Sequence, residues 1–477
     1  MSLVIQAAEK CRRTVSGQRR QFGTLSAAVV GSLLSLAALG CGNSYRPVVA
    51  AINPVGPAGQ PTKYAIAISN PTPTGPGLVT FVDFSGDSIL NTTAIGIAPY
   101  YLALDATNAT TNAGTGYTLN GDGTINSFIL SPSTLLSNDV LSSSLLPSTP
   151  LPNSIFVPGT NIYITEPGRS LVAQLSTATF STTGGAAGPA LRQELPVGAN
   201  PIYIVGVPNA PRVYSVSQGS GVTAGQVAAI ENLSTGLPTI SNTISVGVNP
   251  VYGVMSADSR RVFIMNRGSN TVSVINSQTN TLDSTTPTIP VGTAPVWGDL
   301  ITGRNEVAVL NAGAGTTPGS VSILNTPLCS AVALPSNPAC DPSNPIDATN
   351  FGQVLATIPV GLNPVVVSVL SDGSRAYVAN SGATMPCSTT LPKAAIDPGN
   401  GCGTVSVVNL QTNAVEATIT VAGHPTFLVG TAGTPTGKVY VTSTDTSLMT
   451  VLRTDVNQVQ TYIDLQGRGG QVRVTAQ

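Results

Sequence analysis

The sequence predicts an all-β protein built from a repeated unit, and three observations support this prediction. Only 9% of the 477 residues are charged, whereas exposed helix faces are usually filled with Glu and Lys. Short stretches of Val, Ile and Leu alternate with turn residues, and the chain holds 49 glycines and 37 prolines. An apolar motif with Gly and Pro recurs along the chain. No segment beyond residue 41 has the pattern of an amphipathic helix.

The composition also excludes several classes of function. The formal net charge is −1, and no basic run follows the first twenty residues, which argues against a nucleic-acid partner. A single histidine argues against sites built on His pairs or His-rich metal shells. Because 42% of residues are hydrophobic and spread throughout, a disordered chain is excluded as well.

The first forty residues have the parts of an export signal. Residues 23–40 form an uncharged, apolar stretch that ends in small residues before Cys41. Five basic residues precede this stretch: Lys10, Arg12, Arg13, Arg19 and Arg20. The segment resembles a bacterial lipoprotein signal, which implies cleavage after Gly40 and a lipid on Cys41. A transmembrane anchor is the alternative, although eighteen mildly apolar residues are short for a span.

This interpretation sets the expected location and organisation of the chain. Residues 1–40 are the signal peptide, and the Pro-rich residues 41–61 are an extended tether. We expect an exported protein held by its lipid in the bacterial envelope, in the outer membrane and facing either the periplasm or the surface. Arg19-Arg20-Gln21-Phe22 resembles the core of a twin-arginine signal. The general secretory route remains the alternative.

A short apolar strand, a Gly or Ala turn and a Pro recur five times. The five copies are Leu195-Pro-Val-Gly-Ala-Asn-Pro201, Ile244-Ser-Val-Gly-Val-Asn-Pro250, Ile289-Pro-Val-Gly-Thr-Ala-Pro295, Ile358-Pro-Val-Gly-Leu-Asn-Pro364 and Ile419-Thr-Val-Ala-Gly-His-Pro425, with Ile95-Gly-Ile-Ala-Pro99 as a weaker sixth. Their prolines lie 49, 45, 69 and 61 residues apart. A period of about 45–50 residues with two longer units is typical of β-propeller blades.

Each unit predicts four strands. After Pro364, two strands, Val365–Leu370 and Ala376–Ala379, flank a turn at Asp372–Arg375. The third strand is Val405–Val408, and a fourth returns to the next Ile-x-Val motif. Short runs of β-branched residues between Gly, Asp, Asn and Ser turns are the expected chemistry of such strands.

These motifs identify a family resemblance. Tyr377-Val-Ala-Asn380, Thr271-Val-Ser-Val-Ile-Asn276, Ile289-Pro-Val-Gly292 and Asp372-Gly-Ser-Arg375 resemble the YVTN β-propeller repeat. The resemblance is strong over residues 200–452 and fainter before them. It implies a propeller of the kind found in bacterial surface and periplasmic proteins, and it implies little about activity.

The number of units predicts an eight-bladed propeller over residues 62–477. Seven units open near Pro99, Pro152, Pro201, Pro250, Pro295, Pro364 and Pro425. An eighth blade would take its inner strand from the C-terminal tail, Gln471–Thr475. Its outer strands would come from the N-terminal segments Tyr64–Ile68, Leu78–Val82 and Ser88–Thr92, which closes the ring. Seven blades are the alternative. We expect a monomer.

The two long units carry insertions with cysteines, at about residues 326–351 and 381–403. Cys329 and Cys340 lie in the first insertion and Cys387 and Cys402 in the second, so local disulfides are predicted. A four-cysteine zinc site is the alternative, but neither spacing gives a CxxC knuckle. Because the insertions belong to neighbouring units, we expect them on adjacent parts of the disc, as candidate binding loops.

The residue before the recurring Pro is a candidate for the channel mouth. Asn200, Asn249, Asn363 and His424 occupy this position in four units. They could ring one mouth of the channel and bind a small ligand. Alternatively, Asn and His are there because they tolerate the turn before Pro.

Other reactive side chains suggest no catalytic site and no cofactor. Asp372 and Glu166 fit turns, and the lone Trp297 fits packing within a blade. Asp341, Asp347 and Asp397 in the insertions could give oxygen ligands to calcium, although no EF-hand spacing is present.

Two functions follow from these observations. The first is a non-catalytic envelope lipoprotein that uses its propeller to bind or scaffold an envelope protein, peptide or glycan. The alternative is an enzyme resembling propeller lactonases or lyases, which act in the central channel. Those enzymes generally use paired acidic groups or histidines with a divalent metal, and this chain has one histidine.

Overall fold

The computed structural model describes residues 63–105, 114–130, 140–145, 149–180, 186–206, 212–231, 237–256, 259–326, 350–387, 401–431 and 437–475. Within these ranges the chain is built from strands and turns, with a single-turn 3₁₀ helix at Pro167–Arg169. None of the described segments forms a helix of the length and apolarity needed to span a bilayer. Cys41, Cys329 and Cys340 lie outside the described residues.

Thirty-three strands are present in the described part of the chain. The first sixteen are β1 (Tyr64–Asn70), β2 (Pro76–Asp83), β3 (Ile89–Ile97), β4 (Pro99–Asp105), β5 (Thr115–Asn120), β6 (Thr124–Ile129), β7 (Val140–Ser144), β8 (Ile155–Phe156), β9 (Asn161–Glu166), β10 (Leu171–Ser176), β11 (Leu191–Pro196), β12 (Pro201–Val205), β13 (Arg212–Ser217), β14 (Ala224–Glu231), β15 (Thr239–Val248) and β16 (Pro250–Met255). The others are β17 (Arg261–Asn266), β18 (Thr271–Asn276), β19 (Thr281–Leu282), β20 (Thr288–Pro290), β21 (Pro295–Ile301), β22 (Glu306–Asn311), β23 (Pro318–Asn325), β24 (Val354–Leu362), β25 (Pro364–Val369), β26 (Arg375–Met385), β27 (Cys402–Asn409), β28 (Ala414–Thr420), β29 (Pro425–Gly430), β30 (Lys438–Ser443), β31 (Leu448–Arg453), β32 (Gln458–Asp464) and β33 (Arg468–Val474).

The strands form eight antiparallel sheets, which are the blades of a propeller. Seven blades follow the chain from inner to outer strand and start with β4, β8, β12, β16, β21, β25 and β29. In the blade that starts with β16, the outer position is shared by the short strands β19 and β20, which both pair with β18. Each of these seven inner strands was expected to open near a proline, and six of them begin at the expected proline itself. The seventh, β8, begins at Ile155, three residues after Pro152.

The eighth blade closes the ring by joining the two ends of the chain. Its order is β33-β1-β2-β3, and β33 pairs antiparallel with β1. Contacts between neighbouring inner strands continue around the whole ring, including β29 with β33 and β33 with β4. The prediction of eight blades closed by terminal strands is confirmed, and the alternative of seven is excluded. Such closure leaves only short, protected strand edges.

The second and third strands of each blade are almost entirely buried between neighbouring blades, and polar contacts fix how the blades pack. The buried hydroxyl of Tyr214 donates to Asn280 of the next blade at 2.7 Å, and Tyr377 donates to Asn457 at the same distance. Across the closing junction, Lys438 lies 2.7 Å from the carboxylate of Asp87. A buried Tyr hydroxyl usually finds a hydrogen-bond partner, so these bonds favour one arrangement of the neighbouring blades.

The recurring Gly and Asn of the repeat are explained by close packing. Asn380 lies within β26 with no exposed surface, and its amide donates to the hydroxyls of Thr404 and Ser406 on β27 at 3.2 and 2.9 Å. Gly361 lies directly against this amide, and a Cβ there would come within 2.5 Å of Asn380. The arrangement is repeated in two other blades, where Gly247 packs against Asn266 and Gly292 packs against Asn311. These motif residues therefore maintain the fold.

The flanks of the two insertions lie on opposite faces of the disc. The blades that carry them are neighbours, as expected. However, residues 327–349 connect a third strand to a fourth, whereas 388–400 connect a second strand to a third. Successive antiparallel strands end on alternate faces. Ser381 accordingly contacts the start of β25, at Asn363, while Thr326 contacts Asn305, after the end of β21. The insertions therefore belong to adjacent blades and leave the disc from opposite faces.

Candidate functional site

The predicted mouth residues lie where the inner strands begin, all on the same face of the ring. Asn200, Asn249 and Asn363 adopt the left-handed conformation, with φ of 54°, 51° and 45°. Their carbonyl oxygens accept hydrogen bonds from the backbone N–H of Gln218, Arg267 and Ser381 in the same blades. Asn is the non-Gly residue that best tolerates this conformation, so the turn alone accounts for its recurrence.

His424 differs from the three asparagines because Gly423 takes the left-handed conformation in its turn, with φ of 64°. The His424 backbone N–H donates to both carboxylate oxygens of Asp445 at 3.1 Å. Its Nδ1 lies 2.8 Å from Asp445 Oδ2. Asp445 was not anticipated from the sequence. Among the described residues, no hydrogen bond links His424 to any of the three asparagines.

The cysteine pair in the second insertion forms a disulfide. Cys387 lies two residues after β26 and is bonded to Cys402, the first residue of β27, with 5.1 Å between their Cα atoms. The prediction of this local pair is confirmed. Strand β26 continues to Met385, which pairs with Cys402, so regular pairing extends further than the sequence indicated.

Aromatic side chains form a row inside the ring, two residues after the prolines that open the inner strands. Tyr203 and Tyr252 lie 4.3 Å apart between ring centroids, and Tyr252 stacks on Trp297 at 4.1 Å. Trp297 then meets Phe427 edge-on at 5.8 Å. Trp297 and Phe427 belong to β21 and β29, which are separated by β25, where the equivalent residue is the smaller Val366. Trp297 was expected only to pack within a blade, but it also lines the channel.

A cavity of about 520 Å³ adjoins this row of aromatic rings. It is lined by four consecutive inner strands, β21, β25, β29 and β33, and by Tyr252. The lining includes Thr302, Ser371 and Thr431, which follow the ends of their strands. The cavity therefore extends toward the face opposite the Asn and His residues. Its size lies within the range of small-molecule sites in proteins.

Asp299 contributes a half-buried carboxylate to the cavity wall. Its Oδ1 accepts a hydrogen bond from the Leu300 N–H at 2.9 Å, and its Oδ2 accepts one from the Val369 N–H at 2.8 Å. Burial raises the pKa of Asp299 to about 6, and the two backbone hydrogen bonds only partly oppose this. Among the described residues no cation pairs with this carboxylate.

Arg473 contributes the opposite charge from β33. Its guanidinium lies over the ring of Phe427, with 4.4 Å from Cζ to the centroid. Nε donates to the carbonyl of Leu102 at 3.1 Å, and Nη2 lies 3.4 Å from the side-chain oxygen of Gln471. Within the described part of the chain, Arg473 makes no ion pair. It also lines a second cavity of about 340 Å³, formed mainly by β4 and the end of β33.

The sequence analysis missed both charged residues, although the repeat contained a signal for one of them. Asp299 is the fourth residue after its opening proline, where three sister units have Val205, Val254 and Val429 and the next unit has Ser368. Ser368 accepts a hydrogen bond from the Gly430 N–H, as Asp299 does from Val369, but it carries no charge, so the acid at this position is the departure from the repeat. Arg473 lies on the C-terminal strand, which carries no opening proline from which to count.

The remaining candidates have structural surroundings. Ser374 donates to Asp372 at 2.9 Å from its backbone N–H, as expected for a turn. Glu166 is buried, with Arg169 at 2.6 Å, and burial raises its pKa. No group of three or more His, Cys, Asp or Glu side chains suited to a metal occurs in the described residues. Asp341, Asp347 and Asp397 lie outside those residues.

Comparison with known proteins finds similarity of fold. No protein-family model matches the sequence, and no curated protein matches it either. Among solved structures, the dihydro-heme d1 dehydrogenase NirN in complex with DHE has a TM-score of 0.59 and 13% identity, covering 87% of this chain and 77% of that chain. Apo AztD from Citrobacter koseri has a TM-score of 0.53 and 12% identity, covering 86% and 97%.

A putative 6-phosphogluconolactonase from Bacteroides fragilis is similar as well, with a TM-score of 0.52 and 11% identity over 88% of this chain and 99% of that chain. Identities this low establish common architecture and leave ligands and activity open. The chain is an eight-bladed β-propeller that shares its fold with these proteins.

Proposed function

We propose that the protein is a non-catalytic binding propeller of the bacterial envelope, and that its channel cavity is the ligand site. The observation that carries this proposal is the cavity of about 520 Å³, where the aromatic row and the side chains of Asp299 and Arg473 converge. A concave site with aromatic walls and a few polar groups is the usual form of a small-molecule site. The ligand is an envelope component that fits such a cavity: a peptide, or the end of a glycan or protein chain.

Export to the envelope is the second part of the proposal. The disulfide between Cys387 and Cys402 favours an oxidising compartment. The lipoprotein-like signal before Cys41 supports anchoring through a lipid. Labelling with radioactive palmitate tests the anchor, because wild type should incorporate label and the Cys41→Ser variant should not. Equal labelling of both proteins would contradict it.

The ligand site is tested by native mass spectrometry of the protein purified from its own cells. We expect a bound small molecule in wild type and its loss in Val429→Phe, which fills the cavity wall. Val205→Phe is the matched control, because Val205 occupies the same place in another unit, outside this cavity's lining. Equal occupancy in all three proteins, or none in wild type, would contradict a channel site.

A channel enzyme is the second candidate, and the half-buried carboxylate of Asp299 in the cavity wall favours it. A carboxyl group with a pKa of about 6 can take up a proton near neutral pH, which suits a general base. Metal analysis of the mature domain and a screen for lactone hydrolysis separate the two candidates. If wild type turns over a lactone and Asp299→Asn does not, the proposed binding function is wrong and the protein is an enzyme. If wild type shows no turnover with or without calcium, the result supports the binding function.

A further inference from the structure

We propose that the channel cavity binds a zwitterion with an aromatic body, of the class of an aromatic amino acid or a short peptide with both termini free. In this complex the ligand carboxylate pairs with Arg473 and the ligand ammonium pairs with Asp299. The inference rests on the proposed function, since it names the class of ligand for that channel site.

The charge distribution of the cavity is the first argument. Asp299 lies on β21 and Arg473 on β33, and the inner strands β25 and β29 separate them around the ring. Both side chains line one cavity, yet they form no ion pair with each other or with any other described residue. Charges withdrawn from water are unfavourable unless they are paired. One ligand that carries both opposite charges would satisfy both groups at once.

Hydrogen-bond capacity points the same way. The backbone N–H groups of Leu300 and Val369 use one lone pair on each oxygen of Asp299, which leaves acceptor capacity on both. An ammonium group offers three donors to such a carboxylate. Arg473 uses Nε and Nη2 in the bonds described above, and no bond to Nη1 is found among the described residues. A carboxylate is the acceptor that best fits a guanidinium edge.

The body of the ligand follows from the wall between the two charges. Tyr252, Trp297 and Phe427 line the cavity; Tyr252 and Trp297 are only partly buried, whereas Phe427 is buried beneath Arg473. Aromatic rings gain from ring contacts beyond simple burial. A sugar end would offer hydroxyl groups and would leave both charges of the cavity without a counter-ion. The combination of two charges and an aromatic wall therefore favours an aromatic zwitterion.

Three probes with one phenyl ring separate the two charges experimentally. L-Phenylalanine carries both, phenylethylamine carries only the ammonium group, and 3-phenylpropionate carries only the carboxylate. Isothermal titration of the full mature protein at pH 7.5 should give L-phenylalanine the highest affinity, by about tenfold or more over either single-charge probe. Equal affinity for the three probes, or no binding of L-phenylalanine, would overturn the proposal.

Charge-removing variants assign each end of the ligand. Arg473→Gln should weaken L-phenylalanine and 3-phenylpropionate by about 10- to 100-fold and leave phenylethylamine unchanged. Asp299→Asn should weaken L-phenylalanine and phenylethylamine and leave 3-phenylpropionate unchanged. Arg473→Lys, which keeps the charge, should restore most of the affinity for L-phenylalanine. Thermal unfolding checks that the variants are folded. Folded variants that bind all three probes as wild type does would overturn the assignment.

The failure of this inference differs from failure of the proposed function. If wild type purifies with a small molecule that Val429→Phe lacks, and that molecule is not a zwitterion, the channel site stands and the inference falls. If Val429→Phe retains the molecule, the channel site itself falls.

Discussion

The two ends of the central channel have different relations to the repeat. At the end where the inner strands begin, Asn200, Asn249 and Asn363 are repeated, and turn geometry accounts for them. Deeper in the channel, Asp299 stands where three sister units have valine and a fourth has Ser368. The uncharged Ser368 accepts the equivalent backbone hydrogen bond, so that bond does not require an acid. The difference teaches that residues which recur in this propeller maintain its blades, whereas residues that break the recurrence are candidates for function.

The largest effect expected from a recurring residue is a loss of stability at Gly361. In Gly361→Ala, the new Cβ would come within 2.5 Å of the buried Asn380, and we expect the free energy of unfolding to fall by about 2–3 kcal/mol. Ligand binding per folded molecule should not change. Chemical unfolding and titration measure the two quantities.

Gly86→Ala is the matched control for this substitution. A Cβ on Gly86 would meet its nearest neighbours at 3.4 and 3.5 Å, which is ordinary contact, so stability should stay within about 0.5 kcal/mol of wild type. A Gly361→Ala variant as stable as Gly86→Ala would show that the motif glycine is not required by packing.

Asp299 should behave in the opposite way to Gly361. The Asp299→Asn substitution should weaken ligand binding, and the contribution of Asp299 to stability should depend on pH. Burial raises the folded pKa to about 6, so protonation favours the folded state. Relative to Asp299→Asn, the unfolding free energy of wild type should be highest below about pH 4 and fall as pH rises to about 6, by at most about 3 kcal/mol. Tyr203, Tyr252 and Arg473 carry the other ionisable groups near this carboxylate. A wild-type profile parallel to that of Asp299→Asn over this range would refute a raised pKa.

His424 should contribute moderately to stability and nothing to ligand binding. His424→Ala removes the side-chain contact with Asp445, for which we expect a loss of about 1 kcal/mol. Unchanged affinity for the channel ligand would show that His424 has only a structural role in its turn. A loss of affinity without a loss of stability would instead support the mouth as a binding site.

The smallest effect is expected at Asn249. Because glycine adopts positive φ without strain, Asn249→Gly should alter stability by only a few tenths of a kcal/mol. Asn249→Ala is the paired variant and should destabilise by about 1 kcal/mol, since its Cβ is strained at φ of 51°. Thermal unfolding ranks the two, and equal stability would remove the turn explanation.

The fold could be predicted from the sequence because each blade repeats the same local chemistry. Opening prolines such as Pro250 and Pro364 mark the inner strands, and alternation of β-branched residues sets the others. The closing blade was predictable because the strands at the two ends of the chain remained unassigned after seven units had been counted. The faces of the insertions were not predicted, because their place on neighbouring blades does not specify which strand ends they join.

The candidate site was less predictable, since it forms only when distant strands meet. Trp297 and Phe427 are 130 residues apart in the sequence, yet their rings touch across the channel. Asp299 and Arg473 likewise meet one cavity only after the ring has closed through β33 and β1. Local periodicity carries no information about such convergence. A comparison of equivalent repeat positions would have singled out Asp299.

A crystal structure of the protein purified from its own cells with its ligand bound tests the central claim most directly. The account predicts density for a small molecule in the channel cavity, in contact with both Asp299 and Arg473. Density confined to the opposite mouth, beside His424 and the three asparagines, with the cavity empty, would contradict it.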